Sequence, residues 1–335
     1  MTLTHDIYSD LIAEAKAEKN KKQISKRHIF DNGQEIIFAV SRLEERRYLY
    51  FAIDNSDIDK IPKCKGLNTD VAMLPEFNSD KFFCELSQVY LSEAYIYETI
   101  AEDICKHLSN AKSTYVLEVV ASVLRKWQDF FSKKKDILMT EERQMGLYGE
   151  LKCLDELISL NDESAVFYWS GCRYETHDFY VNGNAIEVKT TCKKAPYKMH
   201  INSEYQLDNN DVMEELFLLF YAFRKSESDG EKLYEIIRRI RNRISAHPHA
   251  AKRFEEDLES YGYFDSVADK YIAGYLVRDE KLYGIVEGFP RIIGKNLCSG
   301  VSNCTYDVLV DECCSYEVKK IETINRIMKG KSTNE

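Results

Sequence analysis

Glycine and proline are scarce in this chain, and no hydrophobic run is long. Its 335 residues include only 14 Gly and 5 Pro, which excludes collagen-like chains and Pro/Gly-rich disordered chains. The longest wholly apolar or aromatic run, at 216–223, is far shorter than the ~20 residues that a membrane-spanning helix needs. The sequence does not open with a basic segment followed by an apolar one. We therefore expect no secretion signal, no membrane partner and a cytoplasmic protein.

Positive charge is not in excess, and several binding signatures are missing. Lys and Arg number 46 against 56 Asp and Glu, which gives a net charge of −10. This balance argues against a histone-like protein that coats nucleic acid. It is compatible with a local basic groove, because the distribution of charge matters more than its sum. There is no GxxxxGK[ST] loop and no dinucleotide or methyltransferase fingerprint, so the sequence does not indicate ATP hydrolysis or methyl transfer.

The chain divides into three predicted segments. We predict a strand-rich N-terminal domain over 1–135 that ends in helices, a central domain over 136–225, and an extension over 226–335 that packs on the central domain. In the first segment, apolar runs bounded by turn residues predict strands at 35–40, 47–53 and 89–97. In the central segment we predict a helix over about 140–159 and strands near 165–169, 177–181, 185–191 and 216–223. The extension predicts helices and a β-hairpin over 271–289.

The stretch THDFYVNGNAIEVKTT, at 176–191, carries the residues that suggest chemistry. Asp178 is followed after eight residues by Glu187-Val188-Lys189, and the Asn-Gly pair at 182–183 is a strong hairpin signal. Because side chains alternate along a strand, Glu187 and Lys189 share one face, roughly 7 Å apart by strand rise. Asp178 then lies on the paired arm. Two acids and a lysine are thus predicted on adjoining strands.

A third acid lies on the helix predicted before this hairpin. Leu147, Leu151 and Leu154 follow one apolar stripe, and Glu150 lies at the edge of that stripe rather than opposite it. A carboxylate that points toward the interior is costly unless it is paired or bound to a metal. Glu150 is therefore a further candidate ligand.

This set of groups suits metal-dependent hydrolysis of phosphodiesters. Carboxylates are ligands for Mg²⁺, a hard cation that keeps several waters, and the backbone carbonyl of Val188 is another candidate ligand. The metal would neutralise charge on the scissile phosphate and lower the pKa of a bound water. Lys189 would orient that water or stabilise the charge that develops on the phosphate.

Four short stretches resemble the PD-(D/E)XK nuclease superfamily: GLYGELKCLDEL at 146–157, WSG at 169–171, HDF at 177–179 and IEVKTT at 186–191. The chain most resembles the bacterial group called PD-(D/E)XK motif proteins, often found beside restriction-modification genes. By this resemblance Asp178 matches the motif aspartate, Glu187 the second acid and Lys189 the lysine. Glu150 matches the acid that many members carry on the first core helix. His177 stands where the motif has proline, a position that varies widely in the superfamily.

The resemblance implies an α/β (α+β) fold. Its restriction-endonuclease-like core has a mixed central sheet with flanking helices in the order helix–strand–strand–strand–helix–strand, beside the strand-rich N-terminal domain. It implies catalytic roles for the four residues just matched, and a metal site made of Asp178, Glu187, Glu150 and the Val188 carbonyl. The implied cofactor is Mg²⁺, with Mn²⁺ able to replace it. The implied substrate is DNA, within a restriction or anti-phage defence system that includes partners such as a methyltransferase or an ATPase. A homodimer would suit the cutting of both strands.

Six further residues are candidates for contacts with DNA: His177, Thr190, Lys193, Lys194, Gln206 and Arg239. Several also have a structural interpretation. His177 suits packing or capping, Thr190 suits a strand and Gln206 suits a polar turn. Arg239 lies in IIRRIRNRIS, whose arginines suit either a DNA backbone or a solvated helix face paired with acids such as Glu255. The alternative function is a catalytically inactive DNA-binding or scaffolding subunit of a defence complex.

Overall fold

A computed structural model of the chain describes residues 3–18, 20–111, 115–133, 137–173 and 175–330. The chain forms two compact units. The first comprises Met1–Ile137 with Phe264–Val267, and the second comprises Leu138–Tyr263 with Ala268–Glu335. The domain boundary predicted between 135 and 136 falls outside the described residues. No helix within the described ranges is long and apolar enough to cross a membrane.

Within these ranges, the first unit has an antiparallel sheet and three helices. The strands are β1 (Gln23–Ile29), β2 (Glu35–Ser41), β3 (Arg47–Ile53), β4 (Leu67–Leu74) and β5 (Asn78–Gln88), in the sheet order β1-β2-β3-β5-β4. The helices are α1 (Leu3–Ala17), α2 (Ala94–Asn110) and α3 (Val116–Lys133). The alternation of strand residues determines which side chains meet the helices. Phe38 of β2, for example, meets Tyr8 of α1 edge-on, with ring centroids 5.3 Å apart.

The second unit contains the residues singled out by the sequence. Its helices are α4 (Glu141–Asn161), α5 (Leu233–Ile244), α6 (Pro248–Tyr261) and α7 (Lys320–Lys329). Its main sheet consists of β6 (Phe179–Val181), β7 (Asn184–Thr191), β9 (Leu216–Ser226), β10 (Glu231–Lys232), β11 (Gly274–Gly284) and β13 (Glu317–Val318). A separate antiparallel pair is formed by β8 (Lys198–Ile201) and β12 (Tyr306–Leu309).

The main sheet is mixed, as predicted. Its order is β10-β11-β9-β7-β6, with β13 also pairing with β11. Strands β7 and β9 are parallel, whereas the other pairs are antiparallel. The elements α4, β6, β7, β9, α5 and β11 follow the predicted order of helix, three strands, helix and strand. Since β9 pairs with both β7 and β11, one sheet joins the predicted central segment to the predicted extension.

Strand β9 is covered on both faces, which explains its uninterrupted apolar sequence. On one face, Leu218 and Phe220 belong to a buried cluster that includes Ile201 of β8 and Val308 of β12. On the other face, Phe223 meets Tyr148 of α4 edge-on, with ring centroids 5.2 Å apart. The sheet therefore has the β8–β12 pair on one side and α4 on the other.

Three of the predicted strand assignments are wrong. Residues 89–97 lead through a 3-10 turn into α2, because Tyr97 and Ile104 follow helical spacing on a buried face. Residues 165–169 lie mostly in a 3-10 helix, Asp162–Tyr168. The hairpin predicted over 271–289 is the single strand β11, which pairs with β9 throughout. Its polar RDEK stretch holds a bulge between Val277 and Asp279 rather than a turn.

Candidate active site

The side chains of Glu187 and Lys189 project from the face of β7 that is opposite α4. A Cβ on Gly149 of α4 would overlap with Thr190 Cγ2 and would lie 3.5 Å from Val188 Cγ1. Helix α4 therefore rests directly on the face of β7 that carries Val188 and Thr190, and glycine at 149 permits this approach. By alternation, Glu187 and Lys189 point toward the side of the β8–β12 pair.

Glu187 and Lys189 form a buried ion pair. Lys189 Nζ lies 2.8 Å from Glu187 Oε1, and the two side chains are 10% and 2% exposed, respectively. The ammonium group also donates a hydrogen bond of 2.8 Å to Gln206 Oε1, which accepts a second hydrogen bond from the Asn202 N–H. Lys189 is thus held between an acid of its own strand and an amide from the loop after β8. Gln206, predicted as a DNA contact, holds the lysine in this structure.

Asp178 immediately precedes β6 and reaches β7 through its carboxylate. Its Oδ2 accepts a hydrogen bond of 2.8 Å from the Val188 N–H. The Asp178 carbonyl accepts hydrogen bonds from the N–H groups of Ser170 and Gly171, at 2.8 and 3.1 Å. Because the N–H and C=O groups of one strand residue point to the same edge, the Val188 carbonyl also lies on the edge that faces Asp178. Two of the predicted ligands are therefore on one edge of β7.

Gly171 brings Glu150 and Asp178 together. A Cβ at this glycine would lie 2.6 Å from Asp178 Oδ1 and 2.8 Å from Glu150 Oε2. One carboxylate oxygen of each acid therefore lies next to Gly171, where there is no room for a side chain. Gly171, the last residue of the WSG stretch at 169–171, leaves this space open.

Glu150 is buried, and both of its carboxylate oxygens accept hydrogen bonds from neutral groups. Trp169 Nε1 donates to Oε2 at 2.8 Å, and the Tyr261 hydroxyl donates to Oε1 at 3.1 Å. Burial nevertheless raises the pKa of Glu150 to about 7, and the charge of Glu187 adds to the rise. Burial also raises the pKa of Asp178 well above its usual value, with further contributions from Glu187 and Glu150. The acids therefore lie close enough to disfavour one another's ionisation.

His177 is buried behind Glu187, and its contact with DNA stays a prediction. The side chain has no exposed surface, and Nδ1 lies 3.7 Å from Glu187 Oε2. Nε2 forms a hydrogen bond of 3.2 Å with Asp211 Oδ1. The packing role, which was the alternative interpretation of this histidine, agrees with its position.

The other predicted DNA contacts differ in exposure. Lys193 and Lys194, in the turn after β7, are exposed, and neither pairs with a carboxylate among the described residues. Thr190 packs its methyl group toward Gly149 of α4.

The predicted contact at Arg239 lies on α5, where acids pair with the arginines. Arg239 forms ion pairs with Asp155, at 3.0 Å, and with Glu231. Arg241 pairs with Glu255 at 2.7 Å. The paired helix face, given above as the alternative for these residues, agrees with this geometry.

One family model matches nearly the whole chain. The family described as "Putative PD-(D/E)XK family member, (DUF4420)" matches residues 5–311. The chain belongs to this family. The predicted superfamily and fold class are thereby confirmed, and DUF4420 membership indicates a nuclease-like function. No curated protein and no solved structure matches the chain at a significant level.

PD-(D/E)XK nucleases generally use divalent metal ions, and the acids of this DUF4420 chain have suitable donor chemistry. Mg²⁺ is commonly held by one or two carboxylates together with waters. Asp178 and Glu150 meet around Gly171, and Glu187 Oε2 is buried with no hydrogen-bond partner in the described part of the chain. In that same part, no group of three or more His, Cys, Asp or Glu is arranged to hold a metal ion as it stands. Asp178 and Glu150 therefore have the donor chemistry that Mg²⁺ prefers.

The residues that sequence reasoning missed come from distant elements. Tyr261 of α6 contacts Glu150 across 111 residues of sequence, and Asn202 supports Gln206 from the end of β8. Neither has a local sequence signal. Trp169 was part of the WSG stretch, but its hydrogen bond to Glu150 was not predicted.

Proposed function

We propose that this DUF4420 chain is a Mg²⁺-dependent DNA endonuclease, the nuclease component of a restriction or anti-phage defence system. The observation that carries the proposal is the meeting of Glu150 and Asp178 around Gly171, on the same unit as the Glu187–Lys189 ion pair. Family membership supports a nuclease-like function. The choice of DNA, of Mg²⁺ and of defence rests on the resemblance of the motif stretches.

The acids would hold the cation, with the Val188 carbonyl as a further ligand to Asp178, Glu150 and Glu187. When bound, the cation would neutralise charge on the scissile phosphate and lower the pKa of a bound water. Because their pKa values are raised, Glu150 and Asp178 retain protons at a higher pH than ordinary carboxyls do. Cation binding would therefore release protons from this acid pair.

Lys189 is the group that would contact the reacting phosphate. An ammonium group has three N–H donors, and two of them are directed to Glu187 and Gln206. The third is available for the attacking water or for a phosphate oxygen. The hydrogen bond that Lys189 donates to Gln206 fixes the position of the ammonium group, so little reorganisation is needed on substrate binding.

Cleavage of supercoiled plasmid and phage DNA tests the proposal. We expect cleavage with Mg²⁺ or Mn²⁺, none in EDTA, and a loss of about 100- to 1000-fold in Lys189→Met. Lys329→Met, which changes an exposed lysine of α7, is the matched control and should cleave at the wild-type rate.

Defence partners encoded nearby, such as a methyltransferase or an ATPase, are supplied in a second arm of this assay. Absence of metal-dependent cleavage in both arms would contradict the proposal and favour an inactive DNA-binding or scaffolding subunit. Wild-type cleavage by Lys189→Met would show that the site is assigned to the wrong residues.

A further inference from the structure

An exposed basic surface lies at the end of β7 and along β8. We define the β8 surface by four residues: Lys193, Lys194, Lys198 and Arg278. All four are exposed, and among the described residues none of them pairs with a carboxylate. These four residues form a group of exposed cations in a chain with a net charge of −10.

The elements that carry the β8 surface adjoin the candidate active site. Gln206 Oε1 accepts hydrogen bonds from Lys189 Nζ and from the N–H of Asn202, the residue that follows β8. Lys193 lies in the turn that leaves β7 just after Lys189. Arg278 of β11 donates a hydrogen bond of 3.3 Å to the Lys193 carbonyl, which brings its charge to the same turn.

The acid on which two of these lysines act has a histidine as its hydrogen-bond partner. Asp307 of β12 pairs with His200 of β8, with 2.9 Å between Oδ1 and Nδ1. The hydrogen bond with His200 lowers the pKa of Asp307, and the charges of Lys198 and Lys193 contribute to the shift. Lys198 and Lys193 are therefore both close enough to Asp307 to act on its charge, which places the two lysines on the same surface.

The arginines of α5, the other basic group noted in the sequence, differ in this respect. Arg239 and Arg243 both contact Asp155, at 3.0 and 3.1 Å. Arg241 contacts Glu255. Because acids compensate these charges, α5 offers a phosphate backbone less attraction than four cations without acidic partners do.

We propose that the β8 surface binds the phosphate backbone of double-stranded DNA and guides the duplex to Lys189. The inference rests on the proposed nuclease function for the cleavage that follows, whereas binding itself requires no cleavage. Lys and Arg contacts to phosphates release counterions, so affinity falls with salt by a slope of about 0.9 per phosphate contacted. Such contacts position the duplex and carry no sequence readout.

Fluorescence anisotropy of a short labelled duplex, measured without metal over a series of salt concentrations, tests this inference. Lys193→Gln/Lys198→Gln removes two charges from the β8 surface. Arg238→Gln/Lys329→Gln removes the same charge from exposed positions on α5 and α7. We expect the first variant to raise Kd at least about tenfold and to reduce the salt slope by about 2, with the control changing Kd less than about twofold. Lys193→Arg/Lys198→Arg should retain wild-type binding.

The outcomes separate this inference from the proposed function. Unchanged affinity in Lys193→Gln/Lys198→Gln, a larger loss in the control, or a wild-type chain that does not bind the duplex would each overturn the inference. If the wild-type chain binds as expected but does not cleave DNA with metal, the proposed function alone is contradicted. Equal cleavage by the wild type and by Lys193→Gln/Lys198→Gln would support the proposed function and contradict the role of the β8 surface.

Discussion

The two halves of the candidate active site hold their acids in opposite ways. Glu187 has a cation at contact distance, Lys189 Nζ at 2.8 Å. Glu150 has only neutral donors, the indole of Trp169 and the hydroxyl of Tyr261. Asp178 likewise accepts a backbone N–H, that of Val188.

This difference leaves Glu150 and Asp178 without a cation at contact distance. The lysine offsets the negative charge of Glu187 directly. Hydrogen bonds from neutral donors offset only part of the cost of burying a charged carboxylate, so the pKa of Glu150 remains raised to about 7. Burial likewise keeps the pKa of Asp178 well above its usual value. Glu187 and Lys189 thus form a salt bridge that requires no bound ion. The other half of the site is an acid pair whose ionised form a divalent cation would stabilise.

The largest expected effect comes from removing the cation of the ion-paired half. Lys189→Met leaves buried acids without a positive charge, and we expect the free energy of unfolding to fall by about 3 kcal/mol. Glu187→Gln relieves repulsion among the acids, and the charge of Lys189 still acts favourably on Asp178 and Glu150. Its metal-free stability should be unchanged or slightly higher. Urea denaturation of both variants in EDTA measures the difference, and equal losses would contradict this view of the pair.

The same two variants also test metal binding. Mg²⁺ should raise the melting temperature of the wild type, and the rise should be much smaller in Glu187→Gln than in Lys189→Met. A full wild-type rise in Glu187→Gln would show that Glu187 is not a ligand. Thermal melts with Mg²⁺ and with EDTA give this result independently of any cleavage assay.

A somewhat smaller loss is expected where the acid pair meets. In Gly171→Ala the new methyl group would lie 2.6 Å from Asp178 Oδ1 and 2.8 Å from Glu150 Oε2, so both carboxylates must move. We expect about 2 kcal/mol of destabilisation, together with loss of metal binding and cleavage. Gly294→Ala is the matched control, because no atom lies within 4 Å of its added Cβ. Calorimetric titration with Mg²⁺ and denaturation of both variants check this, and full metal affinity in Gly171→Ala would contradict the assigned site.

The raised pKa values predict a pH dependence for the acid pair. Glu150 and Asp178 bind protons more tightly in the folded chain than in the unfolded chain, so their contribution to stability is full below the usual carboxyl pKa and is lost as pH rises through the folded pKa. The melting temperature in EDTA should therefore rise by a few degrees as pH falls from 8 to 5, relative to Glu150→Gln. Parallel curves for the two proteins would show that Glu150 does not titrate in this range.

Local sequence signals account for the elements that carry the acids. The Asn-Gly pair predicted the turn between β6 and β7, and its residues have φ values of 47° and 83°, which this pair tolerates well. Alternation predicted that Glu187 and Lys189 share a face. The helical stripe predicted that Glu150 lies at the edge of a buried face, and the structure places it inside.

Long-range contacts could not be predicted in this way. Tyr261 meets Glu150 across 111 residues, and nothing in the sequence near either one indicates the other. The hairpin over 271–289 was predicted from local sequence, whereas pairing with β9 makes this stretch the single strand β11. On α5, the sequence shows the arginines but not Asp155, the acid on α4 that two of them contact.

The smallest expected effect concerns the hydroxyl of Tyr261. Tyr261→Phe removes one hydrogen bond to Glu150, and that bond favours the ionised carboxylate and lowers its pKa. We expect a loss of about 1 kcal/mol at pH 8, where Glu150 is largely ionised, a smaller loss at pH 5, and a shift of the stability midpoint to higher pH. Tyr271→Phe is the matched control, since that buried hydroxyl accepts the Met139 N–H instead. Its loss should be independent of pH, and an equally pH-independent loss in Tyr261→Phe would show that the hydroxyl does not stabilise the ionised acid.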